Sequence, residues 1–264
     1  MADRTWRCFE RASGEGRAAL MPYMMAGFPD LDTSHAVARA YVESGADVVE
    51  LGAPFSDPLA DGPVIHDAAT AALAQGTRFA DVMGICAAIA GDVCVVPMVY
   101  ANTALSIGVD RFAGELQSNG AAGVIIPDLP IDEATALTAA LSDAGIALVQ
   151  LVAPNTPAER RRRICSEAEG FVYVVSDTRT TGERDELPES LGELIEAVKH
   201  DSPVPVAVGF GIGTPEQAGA VGQIADGVIV GSRLVRAVAE SDDTKGAVES
   251  VSEFIGAARV AMTR

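Results

Sequence analysis

Glu50 and Asp61 are the residues of this chain whose settings point to chemistry. Glu50 interrupts an apolar run, Val48-Val49-Glu50-Leu51, where a carboxylate is costly to desolvate unless it is partnered or protonated. The Gly52-Ala53-Pro54-Phe55-Ser56-Asp57-Pro58 that follows can neither extend a strand nor start a helix, because its glycine and prolines fix turns and remove backbone donors. It delivers Asp61 on a polar loop. Two carboxylates in unlike surroundings are the raw material for splitting acid and base roles. An arbitrary acidic loop reads more simply as a salt-bridged glutamate with Asp57 and Asp61 capping turns.

Three late loops carry glycine: Thr180-Thr181-Gly182, Gly209-Phe210-Gly211-Ile212-Gly213 and Gly231-Ser232. Glycine lets backbone N–H groups approach an anion closely, and a helix beginning just after Gly231 would aim its positive end at it. A lone GxG is more often a tight turn; paired with Gly-Ser one unit later it predicts a phosphate cradle that needs no lysine or arginine. Tyr23, Met98, Tyr100, Ile125, Leu151, Tyr173 and Phe210 fall at the inner ends of different strands and together make a flat apolar slot. Residues 176–188, SDTRTTGERDELP, form a polar excursion with no apolar anchor before Leu187, the pattern of a lid.

The elements that must position these groups alternate regularly. Candidate strands are 20–26, 47–51, 94–100, 123–126, 147–152, 171–175, 204–208 and 227–230; helical spacing marks 33–44, 79–90, 109–119, 131–144, 157–168 and 188–199. Repeated βα units imply parallel strands with right-handed crossovers, and continuous Val/Ile runs fit strands covered on both faces. An open doubly wound sheet has the same alternation. The punctuation favours a closed barrel: Asp57 and Asp61, Asn102, Asp128 and Asn155 follow successive strands and would converge at one mouth. The expectation is a single (β/α)8 TIM-barrel domain over 1–264, with a short N-terminal helix at 3–13 plugging its bottom.

Bulk properties narrow the function classes. Hydrophobic residues make up 48% and aromatics 5%, which suits a layered aliphatic core. No apolar run approaches the ~20 residues of a membrane span, and the charged start MADRTWRCFERAS lacks an apolar leader core, so a cytoplasmic location is expected. Cys8, Cys86, Cys94 and Cys165 form no CxxC pair, and His35, His66 and His200 are scattered, so no metal or other cofactor is expected. A net charge of −18 argues against nucleic acid and anionic membranes as partners and suggests a halophilic source.

The run Glu50-Leu51-Gly52-Ala53-Pro54-Phe55-Ser56-Asp57-Pro58-Leu59-Ala60-Asp61-Gly62-Pro63 resembles the signature of the tryptophan synthase alpha chain family. That resemblance implies Glu50 and Asp61 as the catalytic pair, glycerol phosphate held by Gly182, Gly211, Gly231 and Ser232, and an indole ring in the aromatic slot. It implies that Thr181 hydrogen-bonds Asp61 when the 176–188 loop closes. The implied reaction is retro-aldol cleavage of indole-3-glycerol phosphate to indole and glyceraldehyde 3-phosphate. The implied partner is a pyridoxal-phosphate beta chain in an α2β2 heterotetramer, approached by 54–63 and 176–188. Tyr23 departs from the family's common phenylalanine, and Asp177-Thr178-Arg179-Thr180 replaces a smaller segment of many relatives. Other phosphate-gripping barrels would bring a lysine or cysteine to a strand end, whereas Lys199 and Lys245 lie in helical or terminal regions. A catalytically idle regulatory subunit would have no need of Glu50 and Asp61.

Overall fold

Eight parallel strands close into a barrel in chain order, and helices carry the chain back along the outside. The computed structural model describes residues 4–175, 189–209 and 211–264. Its strands are β1 Ala19–Met25, β2 Val48–Gly52, β3 Cys94–Met98, β4 Gly123–Ile125, β5 Ala147–Val152, β6 Val172–Val175, β7 Val206–Gly209 and β8 Gly227–Val230. The pairing of β1 with β8, Ala19 opposite Gly227 and Leu20 opposite Val228, closes the ring and excludes the open sheet.

Every expected strand is present, and the differences lie at the ends. β7 begins at Val206 and not at 204, because Pro205 has no N–H for the ladder; its carbonyl accepts from the Val172 N–H. β3 stops at Met98 and not at 100, because its neighbour β4 is three residues long and offers it one registered pair, Met98 with Ile125.

The described helices are α1 Arg4–Gly14, α2 Leu31–Glu43, α3 Pro63–Ala74, α4 Phe79–Ile89, α5 Ala101–Ile107, α6 Val109–Ser118, α7 Thr135–Asp143, α8 Ala158–Ser166, α9 Glu189–Asp201, α10 Pro215–Ile224, α11 Ser232–Ala239 and α12 Thr244–Ala261. The helix expected at 131–144 is divided into a 3₁₀ turn, Ile131–Glu133, and α7. Ile131, Ala134 and Leu137 are all buried, and a spacing of three residues tightens the chain there before the wider α-helical period takes over.

The strand period of two sorts the side chains. On β2, Val49 and Leu51 pack outward against the helices, while Val48 packs inside the barrel, so Glu50 also faces inward, one step nearer the carboxyl end. α1 buries Thr5, Phe9 and Ala12 on one face, and Phe9 enters the inner cluster with Met21, Val48, Val96 and Ile229. The Phe9 and Phe171 ring centroids lie 5.5 Å apart. The N-terminal helix is thus the stopper at the barrel floor. Beside it the buried Asp47 accepts from Arg17 Nη2 at 2.9 Å and from the Leu20 N–H at 2.9 Å.

Candidate active site

Glu50 sits on β2 in register with Tyr23 on β1 and Val96 on β3. It is fully buried, and neither carboxyl oxygen has a hydrogen-bond partner among the described residues. Desolvation alone pushes its pKa up to about 8, so the side chain holds a proton at neutral pH.

Asp61 follows on the loop between β2 and α3 and is half-buried. Burial raises its pKa to about 6, opposed by a hydrogen bond from the Tyr100 hydroxyl and by the charge of His66, so it is mostly ionised at pH 7. Tyr100 is a brace: its oxygen accepts the Ala60 N–H at 3.0 Å, and its ring stacks on Phe55 at 4.9 Å with 15° between planes. The loop thereby has an aromatic anchor just past the end of β3, at the N-cap of α5. Two carboxylates of one mouth therefore carry different charge at one pH, because one is wholly desolvated and the other is partly solvated and hydrogen-bonded.

A cavity of about 110 Å³ at the carboxyl end of the barrel is lined by Glu50, Asp61, Tyr23, Met98, Leu151, Tyr173, Gly211, Gly231 and Ser232. It adjoins a space of about 630 Å³ past Asp61, Pro127, Leu151 and Val175. The inner cavity alone is small for a drug-sized ligand, and the two together reach the ordinary range of a few hundred Å³. Tyr23 and Tyr173 are close enough to both carboxylates to feel their charge. Each ring lies across a glycine of the neighbouring strand. A Cβ on Gly52 would fall 2.1 Å from the Tyr23 hydroxyl oxygen, and one on Gly209 would fall 2.3 Å from that of Tyr173. These glycines make room for the tyrosines that wall the slot. The Tyr23 hydroxyl lies over the Glu50 strand, at Gly52.

Ser232 opens α11 behind its N-cap Gly231, and the first intrahelical bond is donated by the Leu234 N–H to the Gly231 carbonyl. The N–H groups before Leu234 and the positive end of the helix therefore face the cavity that Gly231 and Ser232 line. No lysine or arginine is among the cavity's described lining residues; Arg233 lies over the Phe254 ring instead, 5.4 Å from its centroid.

Of the residues assigned from sequence, nine meet at this cavity. Ile125 is fully buried in the inner cluster below it, and Tyr100 stands behind Asp61 without lining it. Thr181, Gly182 and Phe210 lie outside the described residues, as does the 176–188 loop. Sequence reasoning missed Phe55 as the partner of Tyr100 and His66 as a charge near Asp61. The only available signal was that His66 falls in the first turn of the helix that follows the acidic loop. Among the described residues no group of His, Cys, Asp and Glu could hold a metal, and no helix is long and apolar enough to cross a membrane.

Fold and site together define a (β/α)8 barrel whose mouth brings a fully buried glutamate and a half-buried aspartate into one cavity beside the N-terminus of α11. The model of one family, tryptophan synthase alpha chain, matches residues 9–263. The tryptophan synthase alpha chain of Prochlorococcus marinus (strain MIT 9313) is 47% identical over 88% of this chain and 85% of its own length. That of Synechococcus sp. (strain CC9902) is 46% identical over 88% of each. Among solved structures, one of Mycobacterium tuberculosis tryptophan synthase superposes with a TM-score of 0.94 at 38% identity, covering 100% of both chains. Tryptophan synthase subunit alpha from Legionella pneumophila superposes at 0.90, with 33% identity and 99% of both chains covered. The chain belongs to the tryptophan synthase alpha chain family.

Proposed function

We propose that the chain cleaves indole-3-glycerol phosphate to indole and glyceraldehyde 3-phosphate, with Glu50 and Asp61 as its catalytic residues. The observation that carries this is the unlike burial of two carboxyl groups lining one cavity, Glu50 fully buried and neutral with a pKa near 8, Asp61 half-buried and negative with a pKa near 6. The leaving indole carbon must depart as a carbanion equivalent. Glu50 protonates ring carbon C3, and the indolenine cation that results is stabilised through its N1–H by the Asp61 carboxylate, away from water. Glu50, now ionised, takes the proton of the neighbouring side-chain hydroxyl as the C–C bond breaks. A group with a pKa near neutrality serves in both directions. Tyr23, Met98, Leu151 and Tyr173 hold the ring, with Ile125 beneath it and Phe210 completing the slot. Gly211, Gly231 and Ser232, together with Gly182, hold the phosphate, and Thr181 meets Asp61 on closure.

The indole passes to a tryptophan synthase beta chain in an α2β2 assembly. Supporting this, Leu59 is 92% exposed on the loop that carries Asp61, and Leu105 is 63% exposed on α5 behind the same mouth. A neighbouring structure is that of a tryptophan synthase. The setting is the cytoplasm of a salt-rich cell, on the strength of the −18 net charge. An unfolding midpoint that failed to rise from dilute buffer to molar salt would remove the halophilic part of this reading.

The experiment is indole release from indole-3-glycerol phosphate by the purified chain in molar salt, with and without a beta chain, beside Asp61→Asn. Release by the wild type that increases with the partner and disappears in the variant is expected. Absence of release in both wild-type conditions would leave only the phosphate site and favour a regulatory subunit.

A further inference from the structure

The floor of the barrel brings together two thiols that the mouth chemistry does not use. Cys8 on α1 and Cys94, the first residue of β3, are hydrogen-bonded to each other. Both pack in the inner core cluster, Cys94 buried at 6% exposure and Cys8 half-buried. They line a floor cavity of about 220 Å³ whose other walls are Arg4, Arg7, Arg11 and the 90–93 turn. Arg4 is fixed at its rim by the carbonyls of Gly120 at 3.0 Å and Ala90 at 3.4 Å, and Arg11 reaches Asp47 at 3.5 Å. The hydrogen bond from Cys94, then the Arg11 and Arg4 charges, outweigh burial and the Asp47 charge and hold the Cys8 thiol below its usual pKa. Cys86 and Cys165 are pushed the other way by burial, to about 12 and about 11. A half-buried thiol at a cavity wall, its pKa lowered and in contact with a second thiol that can resolve its oxidation, is the arrangement of a sensor pair.

We propose that Cys8 and Cys94 are a modification site, oxidised by hydroperoxides to a reversible disulfide that fastens the plug helix to the β3 strand. The Cys8 thiolate attacks the peroxide oxygen, breaking the O–O bond and releasing hydroxide or alkoxide, and becomes a sulfenic acid. The Cys94 sulfur then displaces that hydroxyl, which leaves as water with the Cys94 proton. Two electrons pass from the thiols to the peroxide, and the sulfurs close from hydrogen-bond contact to a covalent ~2.05 Å. The bond encloses residues 8–94 and touches no group of the mouth.

The test is equimolar hydrogen peroxide on the full chain, then alkylation in denaturant and peptide mass spectrometry. The expected result is a Cys8–Cys94 linked peptide, alkylated Cys86 and Cys165, four thiols restored by dithiothreitol, and an unfolding temperature several °C higher when oxidised. In Cys94→Ser, Cys8 should stop at a sulfenic acid trapped by dimedone; in Cys8→Ser, Cys94 should stay a thiol. The proposal is overturned if wild-type Cys8 stays reduced, or goes to sulfinic acid unlinked. It is also overturned if Cys94 reacts without Cys8, or if Cys86 and Cys165 are consumed as fast as Cys8.

Discussion

Asp47, just before β2 on the floor side, and Glu50, the middle residue of β2 three positions on, are both buried, and they are treated in opposite ways. At the floor, Asp47 accepts from the Arg17 guanidinium and from the Leu20 N–H, while Arg17 is held in turn by Glu15 at 2.8 Å. Its charge is met on every side. At the mouth, Glu50 has no hydrogen-bond partner among the described residues and avoids the cost of burial by keeping its proton. A buried carboxylate that is fully partnered is part of the frame; one left unpartnered holds a proton it can give. The barrel keeps these needs apart along the length of β2.

The largest effect expected from breaking this contrast is at the mouth. Glu50→Gln keeps the shape of the side chain and removes the transferable proton. Turnover should fall by about 10³-fold or more, with substrate binding largely kept, as single-turnover indole release and equilibrium binding would report. Substantial residual turnover would exclude Glu50 as the proton donor. At the floor, Asp47→Asn should leave the buried Arg17 with Glu15 as its remaining counter-charge and cost up to about 3–5 kcal/mol in denaturant unfolding. Its turnover per folded molecule should stay near wild type. Loss of turnover in the folded Asp47 variant would erase the distinction between the two ends.

A smaller effect sharpens the mouth itself. Tyr100→Phe removes a donor to the ionised Asp61, a kind of bond worth about 1.5–3 kcal/mol, so kcat/KM should drop by roughly one to two orders of magnitude. That bond favours the charged form, so the acid limb of the kcat/KM profile should move upward from its wild-type position near pH 6. The alkaline limb, set by Glu50 near 8, should not move. An unchanged profile would deny Tyr100 its part in tuning Asp61.

The smallest effect is on stability against pH. Glu50 has a folded pKa raised from 4.5 to about 8, so between these values the native state holds a proton that the unfolded chain has lost. Stability from this group is full below 4.5, falls as pH rises to about 8, and levels off above. Asp61 contributes with the same sign, between 3.8 and about 6. From pH 6 to 8, therefore, Glu50→Gln should flatten a slope of at most about 1.4 kcal/mol per pH unit. Parallel wild-type and variant curves across that window would show that Glu50 is not desolvated as described.

Much of this was open to reading from residues alone. Alternating apolar runs and helical spacing placed all eight strands, because in a sheet covered on both faces the strand cores are runs rich in Val and Ile, as in 228–230. The interruption of Val48-Val49-Leu51 by Glu50 marked an acid in an apolar place without showing that nothing there partners it. Where strands end was less legible, since β3 stops when its short neighbour β4 runs out, which is a property of the pair.

Sequence by itself determined the βα alternation, the inward turn of Glu50 by the period of two, and the glycines after the late strands, because these follow from spacing and covalent geometry. Only the tertiary structure decided what each charge meets. It set Arg17 and the Leu20 N–H against Asp47, stood Tyr100 behind Asp61, laid Tyr23 and Tyr173 over Gly52 and Gly209, and brought Cys8 to Cys94. Such contacts join residues far apart in the chain. Their effect on a proton depends on distance and desolvation, which no local pattern encodes.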